Sequence, residues 1–266
     1  MRETARVLDE RLVKALHVQS LREEELHAEH EPHVLFQAST IGALLHGAYE
    51  GDVTFGELAE HGDLGLGTLN SLDGEMIALD GRFYRADVEG AIHEVDPEAR
   101  TPFAVLTWFT PTAVATAEGP ISHDELLGVL DDHLPDGTVA CAVRVEGSFE
   151  LVHARSVPRQ EPPYRPLDEV VGEQRVFDLR NVEGTMVGFR FPDYSEGIEV
   201  SGYHLHFITA DRTMGGHVLS SRARRVQVGL DASTDLHVEL PPGVDLSSPE
   251  ASRATHEALT RAEHWG

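Results

Sequence analysis

The chain has 266 residues, 41% hydrophobic and 25% charged, enough apolar material for a substantial globular core in one large or two modest domains. No apolar run approaches the roughly 20 residues of a membrane span, and the N-terminus carries charges where a secretory signal has its apolar core, so a cytoplasmic protein with no membrane partner is expected. A formal charge of -25, with Lys14 the only lysine, argues against nucleic acid as a partner, because phosphate binding needs clustered Lys and Arg. An acidic, lysine-poor surface fits either solubility in high salt or a compositional bias of the genome.

Leu8, Leu12, Ala15 and Leu16 recur at helical spacing, and an acidic, His-rich run follows over 23–33. Residues 1–33 therefore read as an amphipathic helix with a polar connector. The histidines His17, His27, His30 and His33 read as a solvated charged face, with metal binding as the alternative. The globular part begins near Leu35. A helix is expected over 39–47, and a second over 54–61, capped by Thr54 with Glu57 three residues on and ended by Gly62. Residues 65–84 alternate strand-like runs with Asp-Gly turns at 73–74 and 80–81, the pattern of two short hairpins. Glu75 opens one of these strands and, on spacing alone, reads as a solvent-facing residue beside a turn. Further strands are expected over 103–109, 137–145, 149–154, 176–179 and 184–191. A helix over 122–133 begins with Ser122 and Glu125 placed for a capping box. Cys141 is the only cysteine and sits in the apolar run 139–145, so it reads as a buried small residue rather than a nucleophile, and no intrachain disulfide is possible. The element Arg155-Ser156-Val157-Pro158-Arg159-Gln160 leaves a strand and enters the Pro-rich segment 161–166, the best internal boundary. A second break at 241–249 precedes a short polar helix or loose tail over 250–263.

The most informative stretch is Gly202-Tyr203-His204-Leu205-His206-Phe207-Ile208-Thr209, followed after a turn by Gly215-Gly216-His217-Val218. Two residues apart on a strand, His204 and His206 project from one face while Leu205 and Phe207 turn to the other. Residues 210–214 supply the turn, and the two glycines let the chain fold back so that His217 stands opposite the pair. Neutral imidazole suits zinc and other borderline divalent ions, and three protein ligands leave a position for water or substrate. The alternative is two exposed strand histidines and an unrelated third.

This hairpin, together with LGTLNSLDGE, R-x-VPRQ-x-PPY and NVEGT-x-VGFR-x-PDY, resembles the acetolactate decarboxylase family, in order from about Leu35 to Leu219. The resemblance implies a two-domain α/β protein: a mixed-sheet domain over 34–165, a mainly antiparallel metal-binding domain over 166–240 carrying the hairpin, and a tail over 241–266. It implies a homodimer that binds Zn2+ and converts 2-acetolactate to acetoin and carbon dioxide. Position by position, it makes His204, His206 and His217 the zinc ligands and sets Glu75 and Arg155 beside the metal, with Arg159 further out. It also brings a tail glutamate to the site; Glu263 is the candidate, with Glu257 and Glu250 as alternatives.

The chemistry explains such a set. Loss of carbon dioxide from a β-keto acid leaves an enediolate, and a chelated zinc ion can act as Lewis acid for that charge. Arg155 suits holding the departing carboxylate or positioning a proton donor, and Glu75 and the tail glutamate suit proton transfer. A three-histidine zinc hydrolase would need a general base but no carboxylate-binding arginine. A cupin-like metal protein would place a glutamate a few residues after H-x-H, where this chain has Ala210 and Asp211. A non-enzymatic metal- or ligand-binding module is the third alternative.

Overall fold

The computed structural model describes residue 11 and residues 17–21, 31–195 and 197–240. The strands in chain order are β1 (His17–Leu21), β2 (Val34–Ala38), β3 (Val53–Thr54), β4 (Leu64–Thr68), β5 (Glu75–Leu79), β6 (Arg82–Ala86), β7 (Ile92–Glu94) and β8 (Arg100–Thr101). They continue with β9 (Phe103–Thr107), β10 (Ala113–Ser122), β11 (Ala140–Ser156), β12 (Arg175–Phe191), β13 (Gly202–Thr209), β14 (Gly215–Ser233) and β15 (Asp235–Glu239). The α-helices with described bounds are α1 (Ile41–Leu45), α2 (Phe55–Leu58), α3 (His123–Asp132) and α4 (Leu167–Val171). The architecture is thus a mixed α/β fold made mostly of strands.

The first sheet has eight strands in the order β1-β15-β2-β9-β4-β5-β6-β7. Its central strands β9, β4 and β5 are buried on both faces, so they read as largely apolar runs. Alternate residues of β5 serve different cores: Met76 and Ala78 join Phe36, Phe55 and Leu58 under α2, while Ile77 and Leu79 face the second sheet. The Asp80-Gly81 turn between β5 and β6 has φ of 54° and 74°, the two-residue hairpin geometry that Asp-Gly favours. Thr54 with Glu57, and Ser122 with Glu125, form complete capping boxes at α2 and α3.

The second sheet runs β10-β14-β11-β12-β13, and β14 pairs again with β13, so the sheet closes on itself. Its interior holds Cys141, Val143, Phe149, Met186, Phe207 and Val228, with Phe149 and Phe207 packed edge to face at 5.3 Å. Burial pushes the Cys141 thiol up to about 12, so it is an inert core residue. The outer surface of β11 and β12, through Ala140, Ala142, Val187 and Phe189, shares one apolar cluster with Leu35, Leu66, Ile77 and Val105 of the first sheet.

The strands of the two sheets interleave along the chain: β10 and β11 precede 161–166 yet join the strands that follow it, and β15 returns to the first sheet between β1 and β2. The runs 137–145 and 149–154 form one strand that bends where its register on β14 shifts near Ser148 and Phe149, and 176–179 and 184–191 likewise form one. Residues 17–21 of the expected helical extension form a parallel strand on β15. The helical spacing at Leu8 to Leu16, and all of 241–266, lie outside the described residues.

Candidate metal centre

The turn after β13 is made by Thr209, which holds Asp211, Thr213 and Met214 through its hydroxyl, and by Arg212 at a φ of 58°. Gly215 and Gly216 do not supply left-handed backbone. They supply room, since a Cβ on Gly215 would lie 2.5 Å from the Phe207 carbonyl oxygen and one on Gly216 2.7 Å from that of Arg155. This close approach sets three strands in register: His206 on β13 lies opposite His217 on β14, and His217 lies opposite Arg155 on β11. A single row across the sheet therefore reads histidine, histidine, arginine, with His204 two residues from His206 on the same face.

The three rings converge. Their centroids lie 5.1 to 5.4 Å apart, and one ligand nitrogen from each falls within 4.8 Å of the others. All three side chains are buried. Met76 of β5 accepts the Nδ1 proton of His206 on its carbonyl at 2.7 Å. A carbonyl can only accept, so Nδ1 carries the hydrogen and Nε2 keeps its lone pair. Burial, reinforced by the neighbouring imidazoles, holds His206 well below the usual histidine range, hence neutral. Its Nε2 is buried with no hydrogen-bond partner and lies 3.5 Å from Glu75 Oε2. A buried, unprotonated nitrogen aimed at two further imidazoles is the donor set a borderline divalent cation requires.

Glu75, placed at a solvent-facing position by its spacing, is in fact 6% exposed and inward. Arg155, equally buried, donates from Nη1 to Glu75 Oε1 at 3.1 Å. The carboxylate thus stands between a guanidinium and an imidazole. Arg159 is exposed and lies 3.6 Å from Asp73, away from the rings. A pocket of about 50 Å³ opens over these groups, with Ile41, Leu44, Leu72, Phe103, Val157 and Leu167 forming an apolar wall above the polar floor. Sequence reasoning missed Glu199, a fully buried carboxylate whose Oε1 lies 3.6 Å from His204 Nδ1. Its one sequence signal was an acid between Ile198 and Val200. Glu263, Glu257 and Glu250 lie outside the described residues.

Nitrogen donors, a buried acid and a buried guanidinium at the seam of two sheets give an α/β protein a group that could hold a metal ion, beside side chains able to do acid–base chemistry. The comparisons with known proteins make this particular. The model of the family described as alpha-acetolactate decarboxylase matches residues 35–249, and the chain belongs to that family. It is 46% identical to an alpha-acetolactate decarboxylase of Methylococcus capsulatus over 88% of this chain and 90% of the relative. It is 44% identical to one of Klebsiella aerogenes over 80% and 82%. The crystal structure of alpha-acetolactate decarboxylase from Bacillus subtilis strain 168 superposes with a TM-score of 0.81 at 36% identity, covering 86% of this chain and 99% of that one. Among the described residues, no helix is long and apolar enough to cross a membrane.

Proposed function

We propose that this chain decarboxylates 2-acetolactate to acetoin and carbon dioxide at the seam between its sheets, with zinc held by His204, His206 and His217. The observation that carries this reading is the buried Arg155–Glu75 pair set against three converged imidazoles. When bound, the metal supplies Lewis acidity toward the oxygens on which negative charge develops. Arg155 suits the substrate carboxylate, which a planar guanidinium can grip through two parallel hydrogen bonds. That grip also favours a decarboxylase, whose substrate always carries a carboxylate, over a hydrolase, whose reaction does not require one.

Loss of carbon dioxide leaves an electron pair on carbon that must be protonated. Glu75, within reach of Arg155 and the imidazoles, is the described group suited to deliver that proton or to take one from the substrate hydroxyl. The apolar wall has the character to seat the substrate's methyl groups and to keep water from the developing charge. Glu263 is proposed as a second carboxylate at the site. A homodimer is the assembly the family resemblance implies, and a cytoplasmic location is proposed with it.

Purified protein supplied with zinc and racemic 2-acetolactate should release carbon dioxide and acetoin. His204→Ala, His206→Ala and His217→Ala should each lose both metal and activity, because a site with three protein ligands has none to spare. Metal analysis alongside an acetoin colour assay reads both. No acetoin from zinc-loaded protein defeats the activity, and full zinc in any one variant removes that histidine from the ligand set.

A further inference from the structure

We infer that Glu199 is a positioning residue for His204: its carboxylate selects the Nδ1-protonated ring and so turns Nε2 toward the metal. The inference rests on the metal-site reading above and extends it by one residue. Glu199 lies between Ile198 and Val200, both core residues, and is itself fully buried. Removing a carboxylate from water is costly unless something polar meets it, and a side chain that only filled space here would be apolar. One oxygen, Oε1, accepts from the Val200 N–H at 2.9 Å and lies 3.6 Å from His204 Nδ1. The latter distance is longer than a hydrogen bond, but it puts a carboxyl oxygen on the Nδ1 side of the ring.

The segment that carries Glu199 is held in place from several directions. Its N–H donates to the Ser195 carbonyl at 3.1 Å, and the Ile198 carbonyl accepts from Ile41 N–H at 3.0 Å and from Gln37 Nε2 at 2.7 Å. Gly42, whose Cβ would come 2.9 Å from the Gly197 oxygen if it had one, lets the N-terminus of α1 press against the segment. A buried acid on so firm a mount can fix a ring. His206 is oriented by the Met76 carbonyl, whereas His204 faces the Glu199 carboxyl group. A carboxylate on the far nitrogen of a ligating histidine raises its basicity as well as fixing its tautomer, and loss of such a partner weakens metal binding by about 10- to 100-fold.

The test uses the full chain with zinc as probe. Zinc affinity is measured by competition with a chelator, alongside the melting temperature of metal-stripped protein, for Glu199→Ala, Glu199→Gln and Gln37→Leu. Gln37→Leu loosens the same segment without touching the carboxylate. Glu199→Ala should weaken zinc by about 10- to 100-fold. Glu199→Gln, which keeps shape and an acceptor oxygen, should weaken it less and melt like the wild type when metal-free, while Gln37→Leu should retain wild-type affinity. The role is overturned if both Glu199 variants hold zinc within twofold of wild type, or if Gln37→Leu loses as much affinity as Glu199→Ala, which would make the effect one of loop packing. Wild-type protein that binds no zinc sinks the metal-site reading itself, and the inference with it.

Discussion

Glu75 shows how one residue's meaning depends on a neighbour far away in sequence. Its partner Arg155 is 80 residues distant, so nothing local marks it as buried. Pairing makes its burial tolerable, and the same pairing makes each partner hard to remove. Glu75→Gln should keep zinc and lose about 10²- to 10⁴-fold in turnover, the usual contribution of a positioned proton-transfer group. Arg155→Ala should also keep zinc and lose turnover. In addition it should destabilise the metal-free fold by about 3–5 kcal/mol, because the buried Glu75 carboxylate loses its guanidinium partner. Steady-state kinetics, metal content and thermal melting separate the two effects; unchanged turnover in either variant would remove that residue from the chemistry.

At the scale of elements, the hairpin was legible because period two, a turn and a glycine pair sit within sixteen consecutive residues, 202–217. The capping boxes were legible for the same local reason. Strand β10 was not, since Ala113-Val114-Ala115-Thr116-Ala117-Glu118 exposes alternate side chains, with Val114 68% exposed, and offers little apolar alternation. The long β11 and β12 read as fragments because Glu146-Gly147 and Asn181 interrupt their apolar patterns, while register on neighbouring strands carries the ladder through. The role of Gly215-Gly216 was half legible: a fold-back was expected, but the close approach to Arg155 depends on a strand that sequence cannot align. Gly216→Ala should therefore push β14 off Arg155, destabilising by about 1–3 kcal/mol and lowering turnover. Gly128→Ala makes the contrast. It lies within α3 with nothing inside 4 Å of the added carbon, and should stabilise by about 0.5–1 kcal/mol. Melting curves for the pair check both signs, and equal shifts would refute the close-approach argument.

At the scale of the molecule, the two sheets share an apolar cluster and the centre draws on both: Glu75 and Met76 come from one, Arg155 and the three histidines from the other. Separation of the sheets would dismantle the site and expose that cluster together, so unfolding in denaturant should be one cooperative transition, with loss of zinc coincident with loss of sheet signal. Two resolved transitions would favour the two-domain division expected at 161–166. The tail carries the remaining expectation. Deleting residues 260–266 should lower turnover sharply without releasing zinc or shifting the melting temperature much. A truncated enzyme at full rate would mean that Glu263 is dispensable.

The route of the chain through the first sheet also orders its assembly in time. Among the described residues β1 pairs with β15 alone, and β15 is wedged between β1 and β2. A strand spanning residues 17–21 must therefore wait for partners more than two hundred residues later, Asp235–Glu239, before its backbone groups are paired. Contacts so distant are slow to form, because the entropy of closing the loop is lost before any contact repays it. On a ribosome, β2 and β9 through β4 can pair as they emerge, whereas the seam at β15 closes only after synthesis has passed residue 239. Until then β2 presents an open edge, so the growing chain is most vulnerable to mispairing before β15 has emerged.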